Sequence, residues 1–216
     1  MEYVRDPAAI EKTSYEIIES HVDRGRFDER EWAVVRRVIH TVADFEYADI
    51  MNFSKDAVEA GLCAMRRGCR IVTDTRMAKA GINRKALEAV GCSVKCYIDD
   101  PDVAAESGKL KITRAMASIM AAARDGRDGI FAIGNAPTAL FKLLEMAEEG
   151  RIKPDLVIGV PVGFVGAAES KQALEASGLP FILTRGRKGG STVAVAVINA
   201  LLYMSNSENG KICSKV

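Results

Sequence analysis

One of the two histidines of the chain lies in an amphipathic segment, residues 36–50, which reads RRVIHTVADFEYADI. His40 stands one helical turn after Arg36 and one turn before Asp44. An imidazole can donate or accept a single proton near neutral pH. No serine or cysteine nucleophile lies beside it in the sequence, so a catalytic triad cannot be argued. His40 is therefore a candidate general acid or base that acts alone.

The periodicity of this segment predicts a helix whose apolar stripe lies opposite His40. The stripe contains Val35, Val38, Ile39 and Val42. At about 100° per residue, His40 points nearly away from it. The side chains predicted to share its side are Arg36, Ala43, Asp44 and Tyr47. This face is either plain solvent surface, the commoner case, or a surface covered by a ligand or a second subunit.

A basic, glycine-rich segment, RGRKGGST, begins at the end of the last predicted strand. It contains Gly186, Gly189 and Gly190 together with Arg185, Arg187 and Lys188. The glycines would let the backbone approach a ligand, and Ser191 would cap the following helix. Free N–H groups at a helix start, with cations nearby, form an anion site. The Walker A spacing is absent. The alternative is a flexible basic turn, and the sequence favours neither.

A second glycine-rich segment, GVPVGFVGAAESK, follows another predicted strand. The spacing of Gly159, Gly163 and Gly166 differs from that of a dinucleotide turn, and no acidic residue follows to hold a ribose. NAD binding is therefore disfavoured. Glu169 and Lys171 are either surface charges at a helix start or ligand contacts.

Two more helix starts carry polar residues. The segment GNAPTAL puts Pro137 in a first turn, where its missing N–H costs nothing, and Asn135 and Thr138 could face a cleft. Simple turn and cap chemistry is the alternative. The segment KITRAMASI puts Arg114 near a helix start, against the helix dipole. That small penalty hints at a bound anion, although one exposed arginine usually has no role.

Short apolar runs alternate with helical patterns through most of the chain. The predicted strands are CRIVTD, SVKCYID, GIFAIGN, LVIGVP and FILTRG. The predicted helices among them are NRKALEAVG, TRAMASIMAAARDG, PTALFKLLEMAEEG, AESKQALEASG and STVAVAVINALLYM, and glycines fall where four of them should stop, at Gly91, Gly126, Gly150 and Gly178. Continuous apolar strands of this kind are buried on both faces. The predicted fold is α/β: a doubly wound, mainly parallel five-stranded sheet with helices on both faces, preceded by N-terminal helices.

The N-terminal helices are predicted over DPAAIEKTSYEIIESHV and DEREWAVVRRVIHTVADFEYADIM. A length of 216 residues fits a single domain. We expect a mostly helical part at 1–67, an α/β core at 68–206 and a C-terminal tail at 207–216.

Most of the unusual loop residues follow predicted strands. These loops are TDTRMAKAG, DDP, GNAPT, GVPVGFVGAAESK and GRKGGS. Parallel strands bring such loops together at the carboxyl edge of the sheet, which is where open α/β sheets bind ligands. The sequence therefore predicts a ligand site at this carboxyl edge.

Composition narrows the range of partners. Thirty basic against 29 acidic residues give a net charge of +1, which provides no global field for nucleic acid or a membrane surface. The longest apolar run, TVAVAVINALLYM, is too short to span a bilayer. The N-terminus has no apolar signal core, and the cysteines are odd in number, Cys63, Cys69, Cys92, Cys96 and Cys213. We expect free thiols in a reducing cytoplasm. Cys92 and Cys96 lack further metal ligands nearby and should pack as small apolar side chains.

Taken in order, these segments resemble the precorrin-8X methylmutase (precorrin isomerase) family of cobalamin biosynthesis. The resemblance runs from DPAAIEKTSYEII through RVIHTVADFEYADIMNF, TDTRMAKAGI, ITRAMASI and IGNAPTAL to GVPVGFVGAAESK and GRKGGSTVAVAVINAL. It covers nearly the whole chain, and GNAPTAL and GVPVGFVGAAESK are its most specific parts.

The resemblance implies a definite reaction. A methyl group moves from C11 to C12 of a corrinoid macrocycle, precorrin-8 or its cobalt form, to give hydrogenobyrinate or cobyrinate. Because the reaction is a rearrangement, it implies no cofactor and no metal ligand set in the protein. It makes His40 the proton donor to the macrocycle, and it needs a substrate held in one geometry.

The substrate carries many carboxylates, for which Arg114, the basic segment and the helix starts after GN and GG are suitable partners. Ser14 and Thr73 match family positions, although Ser14 could equally face solvent. The candidate substrate contacts are Ser14, Thr73, Arg114, Asn135, Ala136, Thr138, Gly163, Glu169, Lys171, Arg187, Gly189, Gly190 and Ser191.

The resemblance also implies a homodimer with sites near the subunit interface. It implies neither a nucleic acid nor a membrane as a partner. Two alternative functions would use a ligand site at the same carboxyl edge. A nucleotide-dependent enzyme would need a regular glycine-rich turn and a ribose acid. A non-catalytic corrinoid carrier would have no use for His40.

Overall fold

The protein is built around one six-stranded sheet, seen in a computed structural model that describes residues 3–126 and 128–212. The strands are β1 (Met51–Phe53), β2 (Arg70–Thr73), β3 (Ser93–Lys95), β4 (Ile130–Ile133), β5 (Leu156–Gly159) and β6 (Phe181–Thr184). Their spatial order is β1-β6-β5-β4-β2-β3.

The helices that precede, connect and follow these strands cover most of the remaining described chain. They are α1 (Pro7–His21), α2 (Glu29–Val42), α3 (Tyr47–Ile50), α4 (Ala57–Arg66), α5 (Arg76–Gly81), α6 (Arg84–Ala89), α7 (Pro101–Leu110), α8 (Arg114–Asp125), α9 (Pro137–Glu148), α10 (Ala167–Ala176) and α11 (Ser191–Ile212). None of the helices in the described ranges is long and apolar enough to cross a membrane.

The sheet is parallel except at one edge. Strands β2 to β6 pair in parallel, and β1 runs antiparallel to β6 with Met51 opposite Thr184. The predicted α/β class is confirmed, and each of the five predicted strands forms. The sixth strand, β1, was not predicted, because three residues are too few to show a period.

Alternate side chains of the strands enter two separate cores. One core contains Ile71, Ile130, Ala132, Leu156, Ile158 and Ile182, packed against α2, α4 and α11. The other contains Val72, Phe131, Ile133, Val157, Phe181 and Leu183, packed with residues of α8, α9 and α10. Both faces of the sheet are therefore covered by helices.

The helix that carries His40 is shorter than predicted. It begins in a capping box formed by Asp28 and Glu31 and ends at Val42. Ala43 then adopts a left-handed conformation with φ 52°, and the Asp44 side chain accepts a hydrogen bond from the N–H of Glu46 at 3.0 Å. The prediction of one helix through residue 51 is wrong, because this turn breaks it and redirects the chain into α3 and β1.

The other helix ends agree better with the sequence. Gly91, Gly126, Gly150 and Gly178 lie one or two residues beyond the ends of α6, α8, α9 and α10. The last helix continues to Ile212, into the predicted tail 207–216, and Cys213 lies outside the described residues. The four described cysteines are free thiols, and Cys92 and Cys96 flank β3.

Candidate active site at the carboxyl edge of the sheet

The loops after β2 to β6 open on the same edge of the sheet because these strands are parallel. Strand β1 begins at this edge, since Met51 pairs with Thr184, and the N–H of Arg185 donates to the carbonyl of Ile50 at 2.7 Å. The connection that leads from the His40 helix into the sheet therefore also reaches the carboxyl edge.

A buried carboxylate organises the loop after β4. Asp74 accepts hydrogen bonds from the N–H groups of Gly134 at 3.0 Å and of Asn135 and Ala136 at 2.8 Å each. Burial raises the pKa of Asp74, although the three N–H groups act in the opposite direction. Asp74 therefore occupies the N–H groups of Gly134, Asn135 and Ala136, the residues that precede α9, and the binding of a substrate carboxylate at this helix start stays a prediction.

The loops after β2 and β4 both meet the start of α11. The Thr75 hydroxyl lies 2.8 Å from the Ser191 hydroxyl, and a Cβ on Gly134 would lie 2.8 Å from Ser191 Cα. The helix begins at Ser191, so the N-cap position falls on Gly190 rather than on the predicted serine. Thr73 is buried, and its hydroxyl donates to the carbonyl of Thr75 at 3.1 Å. Thr73 is thus a component of the loop scaffold.

Lys171 is buried beneath the loop after β6. Its ammonium donates to the carbonyl of Lys188 at 2.9 Å and to the hydroxyl of Thr184 at 3.3 Å. Burial lowers the pKa of Lys171 to about 8. These contacts make Lys171 a support of that loop. Glu169, two residues earlier, is exposed in the first turn of α10.

The basic loop, residues 185–190, is held by acidic partners on two sides. Lys188 Nζ lies 2.6 Å from Asp44 Oδ2 and 2.8 Å from Glu46 Oε2. The hydrogen bond from Lys188 lowers the pKa of Asp44, and the two carboxylates raise that of Lys188. Arg185 pairs with Glu175 at 2.7 Å. The connection after α2 is therefore bound to the basic loop.

The glycines of the basic loop serve its packing on β5. A Cβ on Gly189 would lie 2.1 Å from the carbonyl oxygen of Val160, and the N–H of Gly190 donates to that oxygen at 2.9 Å. The N–H of Gly163 donates to the carbonyl of Arg187 at 3.1 Å. The exposed Arg187 guanidinium makes no ion pair with a described residue, so it is the cation of this loop that remains for a ligand.

A second cation stands at the start of α8. The hydroxyls of Thr113 and Thr138 lie 3.0 Å apart, which joins this helix start to the first turn of α9. Arg114 is exposed and forms no ion pair within the described part of the chain. Asn135 is exposed and Ala136 and Thr138 are half-buried in the same region. The structure thus brings these four predicted residues together.

His40 lies near the end of α2, half-buried against α1. Its ring meets the ring of Tyr15 edge-on, with centroids 5.4 Å apart. The Arg36 guanidinium covers Tyr15 at 4.1 Å and pairs with Glu19 at 2.8 Å. Neither ring nitrogen of His40 has a hydrogen-bond partner among residues 3–126 and 128–212. The imidazole is therefore held by packing, with both nitrogens available.

Ser14 lies on α1 beside Tyr15. It is half-buried, and its hydroxyl donates to the carbonyl of Ile10 at 2.8 Å. Ile10 and Ile17 on either side of it are exposed. Because residues three and four apart share a helix face, these three side chains form one partly apolar stripe.

The cavities only partly coincide with the predicted residues. One of about 570 Å³ is lined by Glu46, Ile50, Ala168, Arg185, Gly186, Arg187 and Lys188. A larger one of about 690 Å³ lies beside β3, between α5 and α6, and contains none of the predicted site residues. We place the site at the carboxyl edge, where the unpaired cations lie, because volume alone does not indicate chemistry.

A comparison with known families decides what this arrangement belongs to. The family described as precorrin-8X methylmutase matches residues 9–204. The chain belongs to the precorrin-8X methylmutase family. It is therefore an enzyme, an isomerase of cobalamin biosynthesis.

Individual methylmutases are similar over almost their whole length. The cobalt-precorrin-8 methylmutase of Salmonella typhimurium is 47% identical over 209 residues, which are 94% of this chain and 98% of that protein. The precorrin-8X methylmutase of Pseudomonas aeruginosa is 39% identical over 203 residues, 93% of this chain and 97% of that one. The crystal structure of precorrin-8X methylmutase from Thermus thermophilus superposes with a TM-score of 0.87 at 42% identity, covering 93% of this chain and 97% of its own.

The candidate site contains residues to which the sequence assigned no role. Asp74 and Thr75 stand in the loop after β2, and Asp44 and Glu46 bind the basic loop. The signal for Asp74 was its position directly after a buried strand. Nothing local indicated that its side chain would turn inward to the next loop.

Proposed function

We propose that this chain converts precorrin-8X, or its cobalt form, by moving a methyl group from C11 to C12 of the macrocycle. The products are hydrogenobyrinate or cobyrinate. Substrate and product are isomers, so the reaction as proposed needs a bound geometry and a proton that is donated before the methyl shift and taken back after it, but no cofactor. Family membership supports the methylmutase reaction, and the side chains of this chain support the finer assignments.

His40 is the proposed proton donor to the macrocycle. The observation that carries this assignment is a half-buried imidazole with both nitrogens unpartnered among the described residues. A histidine with a structural role normally hydrogen-bonds through at least one nitrogen. The link between Lys188 and Asp44, one turn beyond His40, brings the end of this helix to the carboxyl edge.

Arg114 and Arg187 are the proposed partners of the substrate carboxylates. Both are exposed, and neither forms an ion pair with a described residue. They extend from different elements at the carboxyl edge, Arg114 from the start of α8 and Arg187 from the loop after β6. A guanidinium can bind a carboxylate through two parallel hydrogen bonds, which fixes orientation as well as adding affinity. Two such anchors suit a ring with several acidic arms.

A second copy of the chain is the proposed partner. The stripe formed by Ile10, Ser14 and Ile17 on α1 is exposed to solvent at both isoleucines and adjoins the His40 region through Tyr15. Packing of this stripe against a second subunit would bury the isoleucines and shield the imidazole. Light scattering of the purified chain should give twice the monomer mass, and Ile10→Ser with Ile17→Ser should shift it toward the monomer mass.

The proposed reaction is tested by replacing the imidazole while keeping a similar side chain. His40→Gln should fold as the wild type does but lose on the order of a hundredfold or more in turnover, the usual contribution of a general acid. Absorption spectra follow conversion of precorrin-8 and of its cobalt form. His21→Gln, at the other histidine of the chain, is the matched control and should retain turnover.

The outcomes separate the enzyme from its rivals. Turnover by His40→Gln at the wild-type rate would remove His40 from the acid role. Binding without conversion by the wild type would favour a corrinoid carrier.

A further inference from the structure

The loop after β5 presents an unusual group of apolar side chains to solvent. Val162, Phe164 and Val165 are 44%, 86% and 90% exposed. We call residues 162–165 the apolar tip. Single exposed apolar residues are common, but three within four positions at a ligand-binding edge point to a contact surface.

The apolar tip is held at both ends rather than hanging free. Gly163 has φ 147° and donates its N–H to the carbonyl of Arg187 at 3.1 Å. Gly166 has φ 76° and is the N-cap of α10, and a Cβ there would lie 3.4 Å from the ring of Phe141. Both backbone conformations disfavour side chains. The loop is therefore built to hold Phe164 outward.

The surroundings of the apolar tip identify its occupant. The tip follows β5, between the loop after β4 and the basic loop after β6. The Arg187 guanidinium carbon lies 5.8 Å from the centre of the Phe164 ring, and Arg114 lies at the same edge, at the start of α8. An apolar surface with an unpaired guanidinium beside it, at an edge that also carries Arg114, complements a ligand with a carbon-rich centre and carboxylate arms.

We propose that the apolar tip forms a platform for one face of the corrinoid macrocycle, with Phe164 packed against the ring. This inference rests on the proposed function and adds a positioning role to the loop. A second copy of the chain is the other occupant to consider. The isoleucine stripe of α1 provides a separate surface for that copy, whereas Arg187 beside the tip is better matched to an acidic ligand.

The test compares Phe164→Ser with the matched variant Phe164→Leu, which keeps most of the apolar area. Equilibrium dialysis against hydrogenobyrinate measures Kd, and steady-state assays with precorrin-8 separate KM from kcat. Loss of one buried aromatic contact should weaken binding on the order of tenfold to a hundredfold in Phe164→Ser, mainly in Kd and KM. Phe164→Leu should stay within about threefold of the wild type.

Three results would overturn the platform. These are unchanged Kd and KM in Phe164→Ser, an equal loss in Phe164→Leu, and a fall to half the wild-type mass by light scattering of Phe164→Ser, which would assign the tip to a subunit contact. Failure of the proposed function reads differently, because the wild type itself would then neither bind hydrogenobyrinate nor convert precorrin-8, and the platform would fall with it.

Discussion

Replacing Asp74 by asparagine keeps the shape of the side chain but leaves one acceptor oxygen where there were two. In the folded chain Oδ1 accepts the N–H of Gly134, and Oδ2 accepts those of Asn135 and Ala136. The asparagine oxygen can face only one of these sides. Its best orientation keeps the pair at Asn135 and Ala136 and turns an NH₂ group toward Gly134, whose buried N–H loses its acceptor.

The expected loss of stability follows from that one unpaired group. A buried donor without an acceptor costs about 1–3 kcal/mol. Burial raises the pKa of Asp74, so removing the charge recovers part of a desolvation cost, and we expect a net loss of about 1–2 kcal/mol. At about 2–4 °C per kcal/mol for a chain of this size, Tm should fall by roughly 2–8 °C. Calorimetry at pH 7 measures the shift.

Asp99→Asn is the matched control for the same chemical change. Asp99 pairs with Arg76 at 3.0 Å, and both side chains are largely exposed. An exposed pair contributes about 0–1 kcal/mol, so its Tm should stay close to that of the wild type. If Asp74→Asn melts within about 1 °C of the wild type, the three hydrogen bonds do not hold the loop after β4 as argued.

Two further substitutions test the supports of the site. Burial lowers the pKa of Lys171 to about 8, below its value of about 10.4 in the unfolded chain. Between these two pH values the Lys171 amine is therefore protonated only in the unfolded chain. From about pH 8 to 10 the free energy of unfolding of the wild type should therefore rise relative to that of Lys171→Met, by at most about 1.4 kcal/mol per pH unit. A difference in Tm between the two proteins that does not change with pH would contradict this. Ala43→Gly should raise Tm by about 2–4 °C by relieving φ 52°, whereas Ala33→Gly inside α2 should lower it. Equal shifts would refute the strain at Ala43.

The sheet was largely predictable because its strands are continuous apolar runs bounded by glycine or polar residues. Strand β4 is the clearest case, since all its residues from Ile130 to Ile133 are buried. Strand β1 was not predicted because it is recognisable only through its pairing with β6. The helix break at Ala43 was not predicted because alanine is a good helix former and the apolar period continues past it. The turn depends instead on the hydrogen bond that the Asp44 side chain accepts from the N–H of Glu46.

The edge of the sheet at which these loops lie was predictable, but the direction of their side chains was not. Polar residues after parallel strands meet at one edge whatever they contact, so the sequence grouped Asn135, Thr138 and Arg187 correctly. Whether a side chain turns outward depends on partners far away in the sequence. The Asp74 carboxylate accepts hydrogen bonds from the loop after β4, and the Lys171 ammonium donates to the carbonyl of Lys188, so both side chains lie buried.

His40 is proposed to protonate a macrocycle already bound at the carboxyl edge. Single-turnover absorption measurements, with enzyme in excess over precorrin-8 and binding verified by dialysis, test it most directly. We expect His40→Gln to bind the substrate with an affinity near that of the wild type while the spectrum of the bound substrate persists. Conversion of the bound substrate by His40→Gln at the wild-type rate would contradict the account.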